Sequence, residues 1–182
     1  MEISDEILVQ HAQQGVEYAF RQLVQRYNER IINICFRIVG NDQDAEEAAM
    51  DAFLACYRGL GSFEGRSRFS TWLYQIARRC AYKQIGSRPP ESEPINDLEI
   101  PEDHLTTHPD RNLQEREIRE RVEQAVDALP DHLKEVVIFY FLEGRPYHEI
   151  SEILECPIGT IASRINTARQ LLQRRLQSFV EE

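Results

Sequence analysis

Residues 146–179 read PYHEISEILECPIGTIASRINTARQLLQRRLQSF, and the fold turns on how this stretch is arranged. It predicts two helices joined by a tight turn. The first places Ile150, Ile153 and Leu154 on one side. The turn is Glu155-Cys156-Pro157-Ile158-Gly159, where proline and glycine interrupt the helical run. The second helix opens at Gly159-Thr160 and repeats apolar residues at Ile161, Ile165, Ala168, Leu172, Leu176 and Phe179, the period of one buried stripe. A short helix, a glycine-bearing turn and a longer second helix make a helix-turn-helix. That motif offers the N-terminal turns of its second helix to a major groove.

The face opposite the stripe bears on this. At about 100° per residue, Thr160, Ser163, Asn166, Thr167 and Gln170 point away from it. All of them can hydrogen-bond to base edges. Arg164 and Arg169 fall on the flanks, within reach of phosphates. Between Cys156 and Val180 stand four arginines (164, 169, 174 and 175) and no acid. Period alone fits a solvated amphipathic helix in an ordinary bundle equally well. The turn chemistry and the missing acids favour DNA.

These residues also carry a resemblance. Leu129-Pro130, Glu143-Gly144-x-x-Tyr147-x-Glu149-Ile150, Pro157-x-Gly159-Thr160-Ile161-x-Ser163-Arg164-Ile165 and Ala168-Arg169 resemble the C-terminal domain of extracytoplasmic-function (ECF) sigma factors. Those are promoter-specificity subunits of bacterial RNA polymerase.

Composition sets the bounds. The 182 residues leave room for one large domain or two small ones. With 42% hydrophobic and 29% charged residues, the chain is of ordinary globular type rather than disordered. No apolar run approaches the ~20 residues of a bilayer span, and the acidic start MEISDEILVQ lacks a signal-peptide pattern. A cytoplasmic address without membrane insertion is expected. The net charge of −10 argues against nucleic acid until its distribution is read. Residues 66–90 hold six basic side chains and no acid, whereas residues 87–112 hold seven acids against two arginines. Local field, not net charge, governs what a surface attracts. The four cysteines (35, 56, 80 and 156) show no CxxC spacing and the five histidines no metal constellation, so buried thiols and no metal or cofactor are expected. Nothing matches a P-loop, G-x-S-x-G or H-E-x-x-H, and no catalytic residue is assigned.

Along the chain, Ser4 can cap a first helix ended by Gly15, and a second runs from about Val16 to Val39 with Phe20, Leu23, Val24, Tyr27, Ile31, Ile34 and Ile38 at helical spacing. A third, opening with Asp44, Glu46 and Glu47, places Ala45, Ala49, Ala52, Phe53, Cys56, Tyr57 and Leu60 on one face. A glycine-flanked loop, 61–69, carries Arg66 and Arg68. Ser70 can cap a fourth helix, Thr71 to Ile85, with Leu73, Ile76, Ala77, Cys80 and Gln84 inward. Gln75, Arg78, Arg79 and Tyr82 are expected outward, with Trp72 and Lys83 on the flank. Cations interleaved with aromatics suit a single strand, because bases stack on rings while phosphates pair with Arg and Lys. For Trp72 a core anchor is the competing reading, and for the arginines a solvated face. Residues 87–112 contain five prolines and no periodicity, which predicts a flexible acidic linker. Helix resumes at Leu113 with Ile118, Val122, Val126 and Leu129, and another starts at Pro130 and closes at Gly144.

The resemblance continues through Asp44-Ala45-Glu46-Glu47, Asp51-Ala52-Phe53, Ser62-Phe63 and Phe69-x-Thr71-Trp72-Leu73-Tyr74-x-Ile76-Ala77-Arg78, which are similar to the family's N-terminal domain. It departs where the family commonly has Gln at Met50, Asn at Arg79 and basic residues at Ala162 and Thr167. The expectation is an all-α chain of two helical domains: 1–86 region 2-like, 87–112 a linker, and 113–182 region 4-like with the helix-turn-helix. What the resemblance implies is a sigma factor that binds core RNA polymerase and promoter DNA, with an anti-sigma factor as a further partner. Asp44, Glu47, Asp51 and Phe53 are assigned to the polymerase. Arg66, Arg68, Trp72, Gln75, Arg78, Arg79, Tyr82 and Lys83 are assigned to the melted −10 strand. Thr160, Ser163, Arg164, Asn166, Thr167 and Arg169 are assigned to the −35 duplex. A stand-alone helix-turn-helix regulator or a sequestering mimic of such a factor would keep parts of this pattern.

Overall fold

The computed structural model describes residues 3–86 and 114–178, and every element among them is helical. The chain divides into two compact units, Met1–Pro89 and Pro90–Glu182. The linker expected over residues 87–112 lies outside the described residues, as do Leu113 and Phe179.

The first unit holds α1 (Asp5–Gln13), α2 (Glu17–Val39), α3 (Asp42–Gly59) and α4 (Phe69–Gln84). A nine-residue helix such as α1 does not hold alone in water. It buries Leu8 and Val9, and the Asp5 carboxylate accepts hydrogen bonds from Arg26 and Tyr27 of α2. Ser4 stands at its N-cap position without a side-chain capping bond. In α2 the predicted stripe is buried at Leu23, Tyr27, Ile31 and Ile34, joined by Ala19 and Cys35. Gly40 ends it in the left-handed region at φ 85°. Asn41 caps α3, its side-chain oxygen accepting from the Asp44 amide at 2.9 Å.

The buried face of α3 is Ala45, Ala48, Ala49, Ala52 and Cys56. Small residues bring its backbone close to α2 and leave little width for rings between them. Phe53 is accordingly half-buried, and Tyr57, expected inside, is 54% exposed with its ring edge-on to Phe20 at 4.9 Å. α4 packs against α1, α2 and α3. It buries Leu73 and Ala77 as expected, and also Tyr74 and Ala81. It starts at Phe69 with Arg68 at the N-cap position, so Ser70 lies buried within the helix rather than capping it.

The second unit holds α5 (Gln114–Asp127), α6 (Asp131–Val137) running into a π-helical turn (Ile138–Leu142), α7 (Tyr147–Leu154) and α8 (Ile158–Ser178). α5, α6 and α7 each pack on α8. One core cluster joins Val126, Leu129, Leu133, Val137 and Ala168, with Leu171 and Leu172 against it. The Arg175 guanidinium donates to the Ala125 carbonyl at 3.0 Å, tying α8 to α5. Buried charge is concentrated here: Glu135, Glu149 and Arg164 are buried, and Arg145 pairs with Glu149 at 3.3 Å.

The turn before α8 differs from its sequence reading. Glu155, at φ 55°, takes the left-handed position, while Gly159 lies inside α8. The turn is stapled instead by Ser151, whose Oγ donates to the Cys156 carbonyl at 2.6 Å and whose carbonyl accepts the Cys156 amide at 3.1 Å. Those two bonds fix the backbone without a glycine.

Candidate nucleic-acid interface

Between α3 and α4 a single 3₁₀ turn (Leu60–Ser62) leads into the basic loop. Phe63 stacks on Trp72 with ring centroids 4.8 Å apart and 29° between planes. Phe69 lies 6.2 Å from Phe63 and 6.1 Å from Trp72, with Tyr27 edge-on to it at 5.7 Å. A Cβ at Gly59 would stand 3.2 Å from Trp72 Cζ2, so a glycine there lets the indole lie against the end of α3. Trp72 is thus half-buried in an aromatic stack at the loop, partly core anchor and partly surface.

The cations split into two groups. Arg66, Arg68, Arg79 and Lys83 are exposed, with Arg79 and Lys83 one turn apart on α4. Arg66 pairs with exposed Glu64 at 2.6 Å, a surface ion pair worth ~1 kcal/mol or less and easily exchanged for a phosphate. Gln75 is half-buried. Arg78 and Tyr82, expected outward, are each 3% exposed, and the Arg78 guanidinium lies 5.7 Å from the Tyr82 ring centroid. The expectation assumed one buried stripe. α4 has neighbours on three helices, and arginine buries its methylene stem readily when its head group rests on a ring.

On α8 the same correction applies to the first two turns. Thr160, Ser163 and Arg164 are buried, because this end of α8 is enclosed in its unit. Arg164 at 3% exposure is not a flanking phosphate contact in this conformation. Asn166 and Arg169 are half-buried, and Thr167 and Gln170 are exposed. The available polar face therefore begins two turns into the helix and is narrower than the wheel suggests.

Of the acids on α3, Glu47 and Asp51 are exposed and Asp44 is half-buried. They lie along the side facing the end of α4. Gln84 donates to Glu47 at 2.9 Å and reaches Asp44 at 3.5 Å. The Cys80 thiol is pushed above its ordinary range by burial and then by the Asp51 charge, with Lys83 opposing. A further side of α3 forms, with α2, an apolar groove of about 680 Å³ lined by Phe20, Val24, Met50, Phe53, Leu54 and Tyr57. Met50 is 66% exposed along this groove. Sequence reading placed Tyr57 inside and missed this groove, since the alanine spacing beside it was the only signal.

Cys35, Cys56 and Cys156 are buried and Cys80 half-buried, all as free thiols. Burial raises Cys35 and Cys56 to about 12. Among the described residues no group of three or more His, Cys, Asp or Glu could hold a metal ion. No helix among them is long and apolar enough to cross a membrane.

Comparison with known proteins matches these two units one by one. The Sigma-70 region 2 family description matches residues 23–88, and Sigma-70, region 4 matches residues 119–172. The chain is 37% identical to the RNA polymerase sigma-H factor of Pseudomonas aeruginosa, over 98% of this chain and 96% of the relative. It is 32% identical to the ECF RNA polymerase sigma-E factor of Escherichia coli, over 98% and 97% respectively. The fold is similar to that of CnrH, solved in complex with the cytosolic domain of CnrY, with a TM-score of 0.72 at 21% identity over 96% of this chain and 97% of that one. It is also similar to the sigma factor RpoE from Bartonella quintana, solved with the anti-sigma factor NepR, with a TM-score of 0.64 at 24% identity over 87% and 96%. With both regions present in order and relatives aligned over nearly its whole length, the chain belongs to the sigma-70 family as an extracytoplasmic-function RNA polymerase sigma factor, and directs promoter-specific initiation of transcription.

Proposed function

We propose that residues 1–86 engage core RNA polymerase and the melted −10 strand, that residues 113–182 read the −35 duplex, and that residues 87–112 link them. The observation that carries the −10 assignment is a run of exposed cations, Arg66 and Arg68 on the loop next to the Phe63–Trp72 stack and Arg79 and Lys83 further along α4, on a chain of net charge −10. Cations hold the backbone, and the aromatic surface takes an unstacked base. Arg78 and Tyr82 support this face from beneath, and Gln75 borders it. Arg79 stands on phosphate rather than on a base edge, because its exposed neighbours already form a backbone track. The test is run-off transcription with core enzyme, with permanganate footprints across single-base −10 variants. Arg79→Ala lowers open complexes on every promoter by a similar factor, and Arg79→Asn leaves the preferred base unchanged. A shift in preferred base rejects the phosphate role.

On α8, Asn166 and Thr167 read bases and Arg169 holds phosphate, with Gln170 beside them. Thr160 and Ser163 shape the end of the helix that approaches the groove, and Arg164 belongs to the buried charge of its unit. Polymerase docking uses Asp44, Glu47 and Asp51 with the apolar groove at Phe53. A basic partner helix with an apolar stripe fits that combination. Reversing Glu47 and Asp51 to Lys weakens core binding and leaves helicity alone, and unchanged affinity in a titration against core enzyme rejects the assignment. The protein has no catalytic chemistry of its own on this reading, acts inside the cell where its polymerase acts, and is held in check by an anti-sigma factor.

A further inference from the structure

Gln13 is the last residue of α1, and its side-chain amide gives both hydrogens to one turn of the distant basic loop. Nε2 donates to the Leu60 carbonyl at 2.9 Å and to the Phe63 carbonyl at 2.8 Å, across 47 and 50 residues of sequence. The Leu60 carbonyl also accepts the Phe63 amide at 3.1 Å, and Ser62 Oγ donates to the Gly59 carbonyl at 2.8 Å. The turn is therefore closed on itself and then fastened to α1. The other end of α1 is held to α2 through Asp5, Arg26 and Tyr27, so the fastening point is itself fixed. Gln13 thereby ties down the backbone at Leu60 and at Phe63, whose ring stacks on Trp72 and which leads into the segment carrying Arg66 and Arg68.

We propose that Gln13 is a positioning residue for strand capture: it keeps the loop from Leu60 to Arg68 in its binding conformation before DNA arrives. The inference rests on the reading that this loop holds the −10 strand. A loop ordered in advance spares the complex the conformational entropy of ordering it on binding. A merely solubilising glutamine at a helix end would not direct both hydrogens of its amide at two carbonyls of one turn. Glutamate at this position is nearly isosteric, yet it offers only acceptors to two acceptors and removes both bonds.

The experiment uses the full chain with core enzyme and compares Gln13→Glu, Gln13→Lys and the pair Arg66→Ala/Arg68→Ala. Gln13→Glu speeds hydrogen exchange at the Phe63 amide about tenfold and lowers open-complex formation by a similar factor. Core affinity, −35 duplex affinity and the unfolding midpoint of the first unit stay at wild-type values. Gln13→Lys, which keeps donors at similar reach, restores protection of the Phe63 amide. Wild-type exchange and open complexes in Gln13→Glu, with a loss in the double arginine variant, overturn the inference and leave the reading of the loop standing. Full open complexes in the double arginine variant overturn that reading and the inference with it. A fall in core affinity and unfolding midpoint matching the loss of open complexes makes Gln13 a general scaffold residue, and also overturns it.

Discussion

Removing Arg145 takes a cation from beside a buried carboxylate. Glu149 is 4% exposed at its side chain and Arg145 14%, with 3.3 Å between the paired atoms. At that distance and an effective dielectric near 20, Coulomb attraction is about 5 kcal/mol before desolvation is counted. Desolvation offsets much of this while the pair is intact, and the carboxylate loses that compensation from Arg145 when the arginine goes, so Arg145→Ala costs about 3–5 kcal/mol. Replacing both, as Arg145→Met with Glu149→Met, removes the buried charge as well and costs far less, about 1 kcal/mol. The assay is urea unfolding followed by two signals. The chain has one tryptophan, Trp72, in the first unit, so its fluorescence reports that unit, while far-ultraviolet circular dichroism reports both. With a slope of about 1–3 kcal/mol per molar urea, Arg145→Ala moves the helical transition of the second unit down by roughly 2 M or unfolds it outright. The Trp72 transition stays in place. Binding to −35 duplex is lost with the second unit. A midpoint shift below about 0.3 M for Arg145→Ala, or an equal shift for the double variant, refutes the account of the pair as buried and mutually dependent.

Ala49→Leu forces three further carbons into the seam between α3 and α2 and destabilises the first unit by about 1–3 kcal/mol, read as an earlier Trp72 transition. Asn166→Ala costs about 1–3 kcal/mol at one base pair of the −35 element, whereas Arg169→Ala weakens all sequences alike and lowers the salt slope by about one, both read by titration of duplex at several salt concentrations. The thiols predict an alkaline limit. Cys35 and Cys56 are raised from 9.0 to about 12, so between those values the folded chain retains protons that the unfolded chain has lost. Their contribution to stability is complete below pH 9 and falls away as the pH rises toward 12, seen in denaturant midpoints above and below that threshold. Native alkylation reaches half-buried Cys80 first, with Cys35 and Cys56 reacting only on unfolding.

The order and type of the helices were legible in the sequence because each carries an apolar period and a punctuating residue. Leu23, Tyr27, Ile31 and Ile34 are the clearest instance, and Gly40 closes their helix as a left-handed cap. The helix-turn-helix was legible for the same reason. What one helical wheel cannot supply is the number of neighbours. It divides a helix into one inner and one outer face, and fails at α4, where Arg78 and Tyr82 are enclosed, and at the start of α8, where Thr160, Ser163 and Arg164 are. At Tyr57 it fails the other way, because the alanines beside it close the space a ring would need. The bonds from Gln13 to Leu60 and Phe63 leave no local signal at all. At Glu155 the Ser151 staple does the work that glycine was expected to do.

α3 has almost no neutral surface. Ala45, Ala48, Ala49 and Ala52 are committed to the core, Asp44 and Glu47 meet Gln84 of α4, and Met50, Phe53, Leu54 and Tyr57 line the groove. Exposed Ala55 and Arg58 are among the few positions left outside these three duties. Substitutions along most of this helix are therefore felt somewhere, and a loss on one side has no idle side from which to be made good. If α3 is the polymerase-docking face proposed above, suppressors of a defect on it are to be sought in the polymerase surface it meets, and the two surfaces are bound to drift together over evolutionary time.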